Sequence, residues 1–151
     1  MADESQDVPS WPAQLPDPAT AAAGINSEGY QGALGVRMGI EYLHVAPDLV
    51  SARMPVAGNT QPYGLLHGGA SGVLAESVGS VAASLNAGPG RIALGIELNL
   101  SHHRSAREGI VTAVATPLSV GRTLATYQVA ITDDAGRSIC TGRLTCLLRE
   151  V

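Results

Sequence analysis

Apolar and polar residues alternate along six stretches of this chain, and one long stretch between the second and the third is apolar nearly all round. The alternation predicts strands over Arg37 to Val45, Leu49 to Val56, Ile92 to His103, Gly109 to Leu118, Thr123 to Thr132 and Ser138 to Arg149. Pro47-Asp48 reads as a turn between the first two. Asp133-Asp134-Ala135-Gly136 is a strong hairpin signal between the last two. From Gly68 to Leu85 the residues Val73, Leu74, Val78, Val81 and Leu85 leave no wide polar stripe, which predicts a buried helix stopped by Asn86-Ala87-Gly88-Pro89-Gly90. Ahead of these elements a short helix followed by a glycine-rich turn is expected within Ala23 to Leu34.

Strands joined by tight turns pair antiparallel, and one long apolar helix needs a sheet curled around it. The expected class is therefore α+β with the hotdog architecture. A single small sheet leaves an edge and an outer face uncovered, so the expected assembly is a dimer at minimum, and a tetramer built from two dimers.

Glu76 stands out within this pattern. It is the only Asp, Glu, Lys or Arg between Arg53 and Arg91. A carboxylate on a buried helix loses hydration, a cost that points to a task. Gly72, Gly79, Ser80 and Ala83 recur around it at helical steps, so a sheet, a partner helix or a ligand must approach that face closely. His67-Gly68-Gly69 opens the helix, and glycines there leave backbone N–H groups uncovered at the positive end of the dipole. Glycines at a helix start also serve simple close packing, and a lone Glu can be a surface charge.

Composition narrows the functional classes. The chain of 151 residues is long enough for one domain with a real core. With no Phe and one Trp, that core is aliphatic. Residues 1–24 hold Asp3, Glu4, Asp7, Asp17 and four prolines without a basic residue, and read as a flexible or loosely docked arm ahead of a domain over 25–151. The arm accounts for the formal charge of -4. The remaining body is near neutral, which argues against a nucleic-acid partner. No secretory signal and no apolar run of membrane-spanning length is evident, so a cytoplasmic protein without a membrane partner is expected. Cys140 and Cys146 share a strand face too far apart to bridge, and the four His form no pattern of metal-ligand spacing. His44 reads as a surface residue beside a turn, and Arg107, Arg137, Arg143 and Arg149 as solvated charges.

The run Gln61-Pro62-Tyr63-Gly64-Leu65-Leu66-His67-Gly68-Gly69-Ala70-Ser71, continuing to Leu74-Ala75-Glu76-Ser77-Val78-Gly79-Ser80, resembles the hotdog-fold acyl-CoA thioesterases whose catalytic glutamate lies on the central helix. That branch includes 4-hydroxybenzoyl-CoA thioesterases and 1,4-dihydroxy-2-naphthoyl-CoA hydrolases. The likeness extends from about Gly35 to Leu148 and takes in Glu97-Leu98-Asn99, His102-His103-Arg104 and Gly121-Arg122. It implies Glu76 as base or nucleophile and Gly68 N–H as oxyanion donor. His67 and Gln61 would orient the thioester and the water, and Ser80 would hold water or the carboxylate. It also implies that His102, His103, Arg104 and Ser105, with Ser119, Val120, Gly121 and Arg122, lie near coenzyme A, which is part of the substrate. No cofactor or metal is implied.

Eight residues separate Gly68 from Glu76, about 12 Å along a helix, whereas one reacting carbonyl must lie within about 3 Å of its oxyanion donor and close to the base. One subunit cannot easily supply both. Two helices packed antiparallel across a dimer axis would, giving two composite sites. The expected reaction is hydrolysis of an aromatic acyl-CoA. Alternatives are a medium-chain fatty acyl-CoA or acyl-carrier-protein thioesterase and a non-catalytic acyl-CoA-binding module. A dehydratase on this fold fits less well, since its motif pairs an acid with a catalytic His. A DNA-binding regulator would need a region that the acidic arm does not supply.

Overall fold

The computed structural model describes residues 11–12, 14–28 and 30–151. Two helices, α1 (Pro18–Glu28) and α2 (Gly32–Met38), lead into strands β1 (Glu41–Ala46) and β2 (Leu49–Pro55). The long helix α3 (Gly68–Ala87) follows, then β3 (Arg91–His102), β4 (Ile110–Val120), β5 (Leu124–Asp133) and β6 (Ser138–Glu150). All six strands form one antiparallel sheet in the order β1-β2-β4-β5-β6-β3. α3 packs against every strand, as a sheet wrapped around a helix requires. The fold is the expected α+β hotdog.

Alternation places the core. Val111, Ala113 and Ala115 of β4, Val129 and Ile131 of β5, and Leu144, Cys146 and Leu148 of β6 all turn inward onto Leu74, Ala75, Val78 and Ala82 of α3. Cys140 and Cys146 are buried free thiols. Two buried tyrosines, Tyr42 and Tyr127, are the large aromatic exceptions in an aliphatic interior, and Tyr127 is the more deeply enclosed. Its hydroxyl donates to Ala82 O (3.2 Å) and accepts from Asn86 Nδ2 (3.0 Å), so the buried phenol is paired and tethers the end of α3.

The N-terminal region differs from expectation. The boundary at residue 25 falls inside α1, which begins at Pro18, where a missing N–H costs nothing. Asp17 accepts from the N–H groups of Ala19 and Thr20, and Ala21, Ala22 and Ile25 enter the core. Residues 1–10 and 13 of the expected arm lie outside the described residues. Asn26 then reaches the free edge of β1: its Nδ2 donates to Tyr42 O (2.9 Å) and its Oδ1 accepts from Tyr42 N–H (2.8 Å). A side-chain amide so replaces a neighbouring strand. The first strand starts at Glu41 rather than Arg37, because α2 carries the chain through Met38 and Gly39 closes that helix at φ 70° with its N–H bonded to Val36 O.

The two edges of the sheet are thus unlike. α1 covers β1, whereas β3 has no strand beyond it among the described residues and exposes Leu94, Ile96 and Leu98, Ile96 to 57%.

Candidate active site

The helix start is built by His67, whose extended backbone (φ -69°, ψ 132°) makes it the N-cap and whose Nδ1 accepts from Gly69 N–H at 2.8 Å. Accepting at Nδ1 leaves the proton of the neutral ring on Nε2. Gly68 N–H has no acceptor among the described residues. The ring of His102, at the end of β3, lies over Gly68, so closely that a Cβ there would stand 3.1 Å from Nε2. The preceding loop is pinned: His67 N–H donates to Asn59 O (2.9 Å), Leu66 N–H to Ala106 O (2.8 Å), and Asn59 Nδ2 to Met38 O and Pro55 O. The free N–H therefore sits on a rigid support.

Two turns further on, Glu76 is half-buried and its Oε1 accepts from Ser80 Oγ at 3.2 Å. The carboxylate rests on β3 at Gly95, where a β-bulge shifts the register between Gly95 and Glu97. Gly95 pairs with Cys146 on β6, so the thiol lies beneath the carboxylate. Burial pushes the Cys146 thiol up to about 11, with the charge of Glu76 adding to the rise and a hydrogen bond from Ser80 opposing it. A groove of about 460 Å³ opens beside Glu76. Its walls are Gly72 and Val73 of α3, Leu98 of β3, and Gln31 and Leu34 at the start of α2. Such a volume suits a small acyl group, and the lining is chiefly apolar.

The small-residue face of α3 is met by the chain's own sheet. Gly79 packs on Leu144 of β6, and a Cβ at Gly72 would lie 3.5 Å from Leu100 Cδ1. At Gly79 the close approach is thus taken up by β6 and leaves no place there for a partner helix.

The structure brings Glu76 together with Ser80, and Gly68 with His67 and His102, but these two groups sit at different heights on one helix. Gln61 lies in a turn closed by its N–H to Leu65 O (2.8 Å), and its side-chain oxygen accepts from Tyr63 N–H. It does not line the groove at Glu76 of its own chain. His102 and His103 diverge as strand neighbours do, His103 Nε2 reaching Thr141 Oγ1 at 2.8 Å. The two segments expected near coenzyme A are far apart: His102 pairs with Cys140, whereas Ser119 to Arg122, the exposed end of β4 and the turn after it, precede Leu124, which pairs with Leu147. The seven residue steps of β6 from Cys140 to Leu147 span about 23 Å. Sequence reasoning missed Gln31, Leu34 and Gly95. For Gly95 the signal was present, since a lone glycine in a strand marks a bulge or a close approach.

A buried-helix carboxylate and a free N–H at that helix's start, on a hotdog scaffold, define a class. The profile of the thioesterase superfamily matches residues 63–140, more than half of the chain, and the chain belongs to that superfamily. It is a thioester hydrolase. The chain is 45% identical over 115 residues to the proofreading thioesterase EntH of Cronobacter turicensis, covering 76% of this chain and 84% of that protein. It is also 45% identical over 122 residues to the 1,4-dihydroxy-2-naphthoyl-CoA hydrolase of Escherichia coli, covering 80% and 89%. Among solved structures, the thioesterase HI1161 of Haemophilus influenzae superimposes with a TM-score of 0.81 at 35% identity, over 85% of this chain and 90% of that one. No described helix is long and apolar enough to cross a membrane.

Proposed function

We propose that the protein hydrolyses an aromatic acyl-CoA to the free acid and CoA at composite sites formed by two copies of the chain. The observation that carries the composite site is the pair of separations within one chain: Gly68 from Glu76 along α3, and His102 to Ser105 from Ser119 to Arg122 along the sheet. In each pair both partners are needed by one substrate, and one chain holds them too far apart. The uncovered β3 edge with exposed Leu94, Ile96 and Leu98 supports a two-fold pairing of sheets through β3.

In this reading Glu76 of one subunit is the base or nucleophile, held by Ser80. The other subunit contributes Gly68 N–H to the developing oxyanion, with His67 and Gln61 orienting the thioester and the attacking water. One preorganised N–H donor is worth about 10² to 10³ in rate and a positioned base about 10² to 10⁴. Together they suit a reactive thioester. The apolar groove beside Glu76 takes the acyl group, and the name of the 1,4-dihydroxy-2-naphthoyl-CoA hydrolase above supports an aromatic one.

Thiol release from benzoyl-CoA and decanoyl-CoA tests the reading. The expected result is a higher kcat/KM with benzoyl-CoA. Faster release from decanoyl-CoA would replace the aromatic substrate by a fatty one, and release from neither would overturn the proposal.

A further inference from the structure

Three side chains bring polar groups to the groove beside Glu76: Glu76 itself, Ser77 and Gln31. Glu76 accepts from Ser80, and Ser77 Oγ donates back into its own helix at Val73 O (2.7 Å). Gln31 Oε1 is shut off from solvent and has no hydrogen-bond partner among the described residues. Gln31 is the N-cap residue of α2, yet its side chain makes no capping bond, so the helix does not account for the amide. One turn later Gly35 leaves room for it, since a Cβ there would stand 2.8 Å from Gln31 Cβ. A buried polar atom left without a partner is costly, and the NH2 of the same amide also makes no hydrogen bond among the described residues, so the amide has pairing capacity free for a polar group that enters the groove.

We infer that Gln31 is a specificity-determining residue whose amide pairs with a hydroxyl at the far end of the acyl group. The inference rests on the aryl-CoA reading above. With the thioester carbonyl at Glu76 on the α3 wall, the distal end of a flat acyl group points to the α2 wall, where Gln31 stands among Leu34 and Gly35. A hydroxyl both donates and accepts, so it accepts from the amide NH2 or, after a half-turn of the side chain that brings Oε1 to the groove, donates to Oε1. A methyl group of the same size leaves the amide unpaired. Sites that hydrogen-bond a substrate hydroxyl reject analogues that lack it far more strongly than apolar pockets reject a change of size.

The test compares kcat/KM for 4-hydroxybenzoyl-CoA and 4-methylbenzoyl-CoA in the wild-type protein and in Gln31→Met, which keeps length and removes the amide. The wild type should favour the hydroxyl substrate by at least about 10-fold. Gln31→Met should lose that preference, its ratio of kcat/KM for the hydroxyl over the methyl substrate falling to near one. Gln31→Asn, which withdraws the amide by one methylene, should fall between. A wild-type ratio near one, or a preference unchanged in both variants, overturns the role of Gln31 and leaves the aryl-CoA reading standing. Absence of thiol release from both substrates in the wild type overturns that reading and the inference with it. The wild-type ratio decides by itself if a variant fails to fold.

Discussion

Gly95 of β3 makes room for the carboxylate of Glu76, since a Cβ at position 95 would collide with Oε1. Glycine weakens a strand, and here it coincides with the bulge that shifts β3 against β6. The weak point in the strand and the lone carboxylate of the helix are thus one arrangement. Gly95→Ala should push Glu76 out of its position and lower kcat by about 10- to 100-fold, the scale of a 1 Å misplacement, with KM within a few-fold of wild type. Adding Glu76→Asp to that variant shortens the acid by one methylene and should recover part of the loss. Steady-state kinetics of the single and double variants check this; wild-type kcat in Gly95→Ala would show that the carboxylate does not depend on this slot.

The separation of Gly68 from Glu76 predicts complementation. Glu76→Gln keeps shape and removes the base, so turnover should fall at least about 100-fold with the fold intact. Gly68→Pro removes the N–H at the first helical position, which suits proline, and His67 before it is already extended; the ring of His102, 3.1 Å from a Cβ there, has to shift slightly to admit it. Each variant should be inactive alone. After subunit exchange of an equal mixture, half of the dimers are mixed and one of their two sites is intact, so about a quarter of wild-type activity should return. Confirmed exchange without recovered activity would place the whole site within one chain.

The legible part of this protein is the part where side-chain pattern and structure share a period. Five of the six strands fall within two residues of their expected bounds: β2, β4, β5 and β6 each carry a buried face, whereas β3 keeps its alternation of apolar residues with no residue buried. Glu76 was legible because nothing else charged accompanies it. α2 was not, since Gly32, Gly35 and Gly39 suggest a turn, yet Gly39 is the left-handed cap of a helix. α1 was legible in part: the short helix expected within Ala23 to Leu34 overlaps its second half, while four prolines and four acids hid Asp17 as a cap and the Ala21 and Ala22 that dock. No linear pattern tells which subunit supplies each half of a site.

The pairing of Asn26 with Tyr42 makes α1 part of the sheet's edge protection. Asn26→Ala removes both hydrogen bonds and leaves the Tyr42 main chain bare, a loss of about 1 to 3 kcal/mol. For a chain of this size each kcal/mol lowers Tm by about 2 to 4 °C. The uncovered edge should also promote aggregation on heating. Calorimetry and light scattering check both, and an unchanged Tm would mean that α1 lies on β1 without stabilising it.

Cys146, beneath Glu76, predicts how stability responds to alkaline pH. Its thiol rises from 9.0 to about 11 through burial first and the Glu76 charge second. Above pH 9 the unfolded chain loses this proton while the folded one keeps it, so the folded state binds more protons and stability falls as pH rises. The fall should run from about pH 9 to about pH 11 and level off above it. Tyr127 and Cys140 are also raised by burial and add their own alkaline loss, so the measurement is a difference. Cys146→Ala, unfolded in denaturant at a series of pH values, should be less stable than wild type at pH 7 and lose ground more slowly above pH 9, narrowing the gap. Parallel pH profiles for the two proteins would show that Cys146 titrates in the folded state as it does in the unfolded chain.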